Sequence, residues 1–97
     1  MAQQHTLGRY KTMVIVDEKG FTNVTYHETI IVDFNKDSIR LRNGGFFTRS
    51  TKDRMNQCSS QFALGFTVNQ RKGKWYVVFK NKTQLFYNGM VLFRKEL

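Results

Sequence analysis

The residues able to do acid–base or nucleophilic chemistry are His5, His27, Cys58 and seven carboxylates. Such chemistry needs groups that converge with matched proton affinities. Their spacing gives no sign of convergence. His5 sits in an aperiodic polar segment, His27 is expected on the outward face of a strand, and Cys58 falls on the apolar stripe of a helix, where a thiol packs as a small hydrophobe. No Gly-x-Ser-x-Gly, His-Glu-x-x-His or P-loop pattern occurs. A lone cysteine excludes an intrachain disulfide and a multi-thiolate metal site. The expectation is a binding protein with no catalytic residues, no metal and no cofactor.

Anion chemistry is better provided for. Net charge is +9, and it is unevenly spread: residues 1–39 sum to −1 and residues 40–97 to +10. That segregation predicts one basic face. Two groups of residues could use it. In Asn43 to Arg54, glycines, hydroxyls and a helix start would receive an anion, with Arg49, Lys52 and Arg54 adding charge. A capped helix after a tight turn needs the same residues except the basic ones. In the second group Arg71, Lys72, Lys74, Lys80 and Lys82 surround Tyr76, with Arg40 and Arg42 on a nearby strand. Cations neutralise phosphates while a ring stacks on a base. Basic residues at hairpin tips and edges also keep sheets from aggregating, and Tyr76 could instead pack on Tyr87.

The elements that would position these groups are mostly strands. Arg9–Val16 reads as a first strand, and Val24, Tyr26, Ile30, Val32 and Phe34 recur at period two, predicting one long half-buried strand with Glu28 as an inward polar exception. A short strand follows with Ile39 and Leu41 inward, then the Asn43-Gly44-Gly45 turn. A helix is expected over about 50–62, opened by Ser50 and Asp53 as a capping box and closed near Gly65. Met55, Cys58, Ser59 and Phe62 would face inward, and Lys52, Asp53, Arg54, Asn56 and Gln57 outward. A two-residue turn at Lys72-Gly73 would pair Arg71 with Lys74, Asn69 with Tyr76, and Gln70 with Trp75. Strands over Gln84–Tyr87 and Met90–Phe93 finish the chain. The order predicts a mostly β, α+β single domain over residues 1–97: a bent antiparallel sheet or small open barrel of six to eight strands with one helix. Residues 1–8 are expected to be a flexible arm.

The pattern Gly44-Gly45-x-x-Thr48, then Thr51-Lys52-x-Arg54-Met55-Asn56-Gln57, then Trp75-Tyr76-Val77 and Asn88-Gly89-Met90 resembles small proteins encoded by bacterial viruses. The resemblance spans residues 44–94 and implies expression in a host cytoplasm. It carries no activity over. Together the residues predict nucleic acid, held by its phosphate backbone, as the partner; the alternative is docking on, and inhibition of, an acidic surface of a host protein. No apolar run reaches the ~20 residues of a membrane span, and the polar N-terminus lacks a signal peptide's apolar core, which fits a cytoplasmic protein. An uncovered edge strand would open a route to homo-oligomers.

Overall fold

Eight strands and one helix account for most of residues 8–94, the part described by the computed structural model. The β-branched stretches Thr12–Val16 (β1), Thr22–Tyr26 (β2) and Thr29–Phe34 (β3) form an antiparallel meander. Ser38–Leu41 (β4) and Met90–Phe93 (β8) extend it to a five-stranded sheet in the order β1-β2-β3-β4-β8. Between β4 and β8 the chain makes one excursion, through the helix Arg49–Gln61 (α1) and a second antiparallel sheet of Phe66–Arg71 (β5), Lys74–Phe79 (β6) and Lys82–Leu85 (β7). The expected α+β, mostly β class is therefore found, with the sheets not closed into a barrel. Of the expected arm only Gly8 lies in the described range, and its N–H donates to Gln57 Oε1 at 2.9 Å.

The predicted long strand from Val24 to Phe34 is in fact the hairpin β2–β3, and the reason the pattern misleads is instructive. A two-residue turn at His27-Glu28 pairs Tyr26 with Thr29 and reverses the parity of the inward face. A bulge then reverses it back: Thr25 pairs with Ile30 but Val24 pairs with Val32, leaving Ile31 as the extra residue. Past the bulge Val32 and Phe34 face inward again, as Val24 and Tyr26 do before the turn, so the pattern reads as one continuous strand. Ile30, expected inward, instead lies opposite Thr25 and is half-buried, and Ile31 is buried in its place. His27 occupies the turn with φ 57°, its N–H bonded to Lys11 O, and Glu28 is exposed rather than inward.

Helix α1 starts earlier than the expected capping box. Thr48 is the N-cap, its Oγ1 accepting from Thr51 N–H at 3.3 Å, while Asp53 instead meets Arg49 at 3.7 Å. The left-handed stop is Ala63 (φ 53°) rather than Gly65, with Leu64 N–H returning to Ser59 O at 2.9 Å in a Schellman closure. Asn56 and Gln57, expected outside, are buried. Asn56 exchanges bonds with both backbone groups of Val68 at 2.7 and 2.9 Å, and Ser59 does the same with Phe66 at 3.0 and 2.7 Å. These two side chains take the place of a neighbouring strand along the free edge of β5. The turn after β6 also shifts: the chain reverses at Lys80-Asn81 and β7 begins at Lys82, two residues ahead of the expected strand.

The core lies between the two sheets and α1. It gathers Val24, Val32, Ile39, Leu41, Met90 and Leu92 from the larger sheet, Met55 and Cys58 from α1, and Phe66, Val68, Trp75 and Val77 from the smaller. Two glycine turns that are 45 residues apart lock together at one end. Asn88 Oδ1 accepts from Asn43 N–H at 2.9 Å, and Gly89 N–H donates to Leu41 O at 2.8 Å.

Candidate nucleic-acid interface

The smaller sheet follows the predicted register throughout its first hairpin. Arg71 pairs with Lys74, Gln70 with Trp75, Asn69 with Tyr76, Val68 with Val77, and Phe66 with Phe79. Lys72 (φ 50°) and Gly73 (φ 79°) are both left-handed, the I′ geometry whose twist matches that of the strands. Lys80 (φ 51°) and Asn81 (φ 64°) repeat it at the opposite end without any glycine. Alternation then sorts the faces. Phe66, Val68, Trp75 and Val77 are buried, and Trp75 meets Phe47 and Phe86 edge-on at 5.0 and 5.2 Å. The outer face presents Asn69, Arg71, Lys74, Thr83 and Leu85 around a half-buried Tyr76, which lies opposite Asn69 and Leu85 rather than Tyr87.

Electrostatically this sheet stands apart. No Asp or Glu occurs between Asp53 and Glu96, so β5–β7 and their turns carry Arg71, Lys72, Lys74, Lys80 and Lys82 with no carboxylate among them. Lys72 and Lys80 mark opposite ends of β6, and Tyr76 lies between them. Lys80 is partly engaged, donating to Arg94 O at 2.7 Å with its ammonium 5.4 Å from the Phe79 ring centroid. The arrangement offers cations to a polyanion along the sheet and one ring face to a base.

The other predicted cations do not join this surface. Arg40 and Arg42 lie on the outer face of the larger sheet, and Arg42 is paired with the buried Asp33 at 2.9 Å. Arg49 is exposed at the start of α1 and faces Asp53. Lys52 is half-buried on the same helix. Arg54 is built into the structure: it donates to Thr12 Oγ1, Gln57 Oε1 and Tyr10 O at 3.1, 3.1 and 3.4 Å, and lies 5.2 Å over the Tyr26 ring. Its charge is spent on tying Tyr10 and the start of β1 to α1.

At the start of α1 the structure adds residues that sequence reasoning missed. A cleft of about 740 Å³ opens there, bounded by Thr48, Ser50, Thr51 and Asn43 from the predicted segment and by Lys11, Tyr26, His27 and Glu28 from the β2–β3 turn and the strand beside it. Asn43 is 2% exposed; its Oδ1 accepts from Gly45 N–H at 2.9 Å, and its Nδ2 has no hydrogen-bond partner among the described residues. Lys11 and His27 arrive only because the predicted long strand turns back at His27. No signal other than recognising that turn could have placed them here. Unlike β5–β7, this cleft mixes its charges, with Glu28 beside Lys11.

Cys58 is fully buried, and burial pushes its thiol up to about 12, which disfavours the reactive thiolate. Among the described residues no group of three His, Cys, Asp or Glu side chains could hold a metal ion, and no helix is long and apolar enough to cross a membrane. Compared with known families, residues 1–93 match the family model described as Kyanoviridae Gp96 protein. No curated protein and no solved structure matches.

Proposed function

Because the chain belongs to the Kyanoviridae Gp96 family, a family of phage proteins, we propose that it serves in the host cytoplasm as a small non-catalytic nucleic-acid-binding protein. The phosphate backbone runs along β5–β7, neutralised by Arg71, Lys72 and Lys74 at one end of the sheet and by Lys80 and Lys82 at the other, with Tyr76 on the outer face stacking on a base. One observation carries this reading: a three-stranded sheet whose strands and turns hold five cations and no carboxylate, with a half-exposed tyrosine at the centre of its outer face. Sequence-specific duplex readout is not part of the proposal, since α1 turns its buried side to β5 and no helix-turn-helix or zinc-finger spacing exists.

The experiment is fluorescence anisotropy of the protein with labelled single-stranded DNA, duplex DNA and RNA over a series of salt concentrations. Binding that weakens steeply with salt supports the proposal, and the three-way comparison identifies the preferred form. Absence of binding to all three at low salt overturns it, and the same basic sheet would then be tested for docking on an acidic host protein.

A further inference from the structure

The open edge of the larger sheet is apolar on both faces. In β1, Met13 is 59% exposed, Val14 44%, Ile15 53% and Val16 66%. Edge strands are normally blunted by a charge, a proline or a bulge, and Thr12–Val16 contains none of these. Of the other edges, β5 is capped by Asn56 and Ser59, β7 carries Lys82 within the strand, and β8 is followed directly by Arg94, as β1 is flanked by Lys11 and Asp17.

The ladder to β2 determines which backbone groups of this edge are free. At its two ends Asp17 N–H donates to Phe21 O at 2.9 Å and His27 N–H to Lys11 O at 2.7 Å. Both pairs continue the register that joins Thr12 to Tyr26 and Val16 to Thr22. Antiparallel bonding alternates along a strand, so residues 11, 13, 15 and 17 bond to β2; Val14 and Val16 direct both backbone groups outward, and Thr12 its C=O, its N–H being bonded to Arg9 O at 3.2 Å.

We propose that β1 pairs with β1 of a second copy of this chain, antiparallel about a two-fold axis at Val14, to make one ten-stranded sheet. Outward-directed residues must meet outward-directed residues, so the axis falls on an even-numbered residue or midway between two of them. Only Val14 opposite Val14 overlaps the whole strand, setting Thr12 opposite the second copy's Val16 and Met13 opposite its Ile15. The same register brings the backbone of Lys11, just before β1, opposite that of the second copy's Asp17, and symmetry sets these opposite charges near each other twice. Hydrogen bonds from Asn23, and then from the Phe21 backbone, hold the Asp17 carboxyl below its ordinary range, so it is anionic at neutral pH. Charge selects this edge as well. Residues 1–39 sum to −1, so copies meet through the part of the chain without excess charge, and the +10 of residues 40–97 is carried mainly by other elements. The dimer does not depend on the proposed function, though it would carry two basic sheets.

A single strand pair is smaller than the ~800 Å² per partner of a standard interface, so the dimer should dissociate on dilution through roughly the micromolar range. Sedimentation velocity of the full chain from about 1 to about 300 µM tests it. The expected result is a monomer converting to a dimer and no further. Val14→Lys, which sets two lysines face to face at the axis, should stay monomeric over that range, while Leu85→Lys on the β7 edge should dimerise like the parent. Amide exchange of the unmodified chain keeps the test open if Val14→Lys fails to fold: Val14 and Val16 should gain protection at high concentration. A parent monomeric throughout, assembly continuing past the dimer, dimerisation undiminished by Val14→Lys, or equal exchange at both concentrations overturns the proposal.

Discussion

Two buried residues show how differently a side chain can support this fold. Trp75 is 1% exposed and holds together an aromatic cluster with Phe47 and Phe86 that joins the smaller sheet to the loop before α1. Trp75→Ala should cost about 3–5 kcal/mol, since such a truncation loses the transferred area and leaves a cavity. A melting temperature equal to the parent's would show that this face of β6 is not core. Asn56 contributes through polarity instead, satisfying both the N–H and the C=O of Val68. Asn56→Ala leaves two buried backbone groups without partners, at about 1–3 kcal/mol each. Its expected signature is therefore local as well as global. Denaturant unfolding should show the loss of stability, and amide exchange at Val68 should rise more than at Val77, which bonds within the sheet.

At the scale of elements, the hairpin β5–β6 is the most self-determined part of the chain. Its turn residues, alternation and strand lengths all specify one register, and a one-residue slip would turn Val68 and Trp75 out to solvent. Arg71 and Lys74 face each other beside the turn and are exposed. Arg71→Glu combined with Lys74→Glu should weaken nucleic-acid binding at least tenfold while leaving the melting temperature within a few degrees. Anisotropy and thermal unfolding on the same sample separate the two effects, and undiminished affinity would remove β5–β7 as the binding surface. The hairpin β2–β3 is the opposite case. Its turn has no glycine, asparagine or aspartate, and its bulge restores the parity the turn inverts, so local pattern and local chemistry both point to a continuous strand.

At the scale of the whole molecule, the +9 charge does not act as one face. Arg42 is neutralised on the outer side of the larger sheet, Arg54 is consumed in packing, and five cations remain together on β5–β7. A single strand held by those five should lose affinity with a log–log salt slope of about −3.5, at ~0.7 per phosphate neutralised. A slope near −6, measured in the same anisotropy series, would mean that cations beyond this sheet take part. What the sequence alone determined was local: the class of the fold, the faces and register of β5–β6, the inward Ile39 and Leu41, and the basic character of the second part. These follow from period, turn chemistry and charge, which act over a few residues. The tertiary structure decided the rest. It placed Asn56 and Ser59 against the edge of β5, joined β8 to β4 across an excursion of 48 residues, separated Arg40 and Arg42 from Arg71 and Lys74, and brought Lys11 and His27 to the start of α1. Each of those depends on where distant backbone ends up with unpaired groups to satisfy or apolar surface to cover, and no short window of residues contains that information.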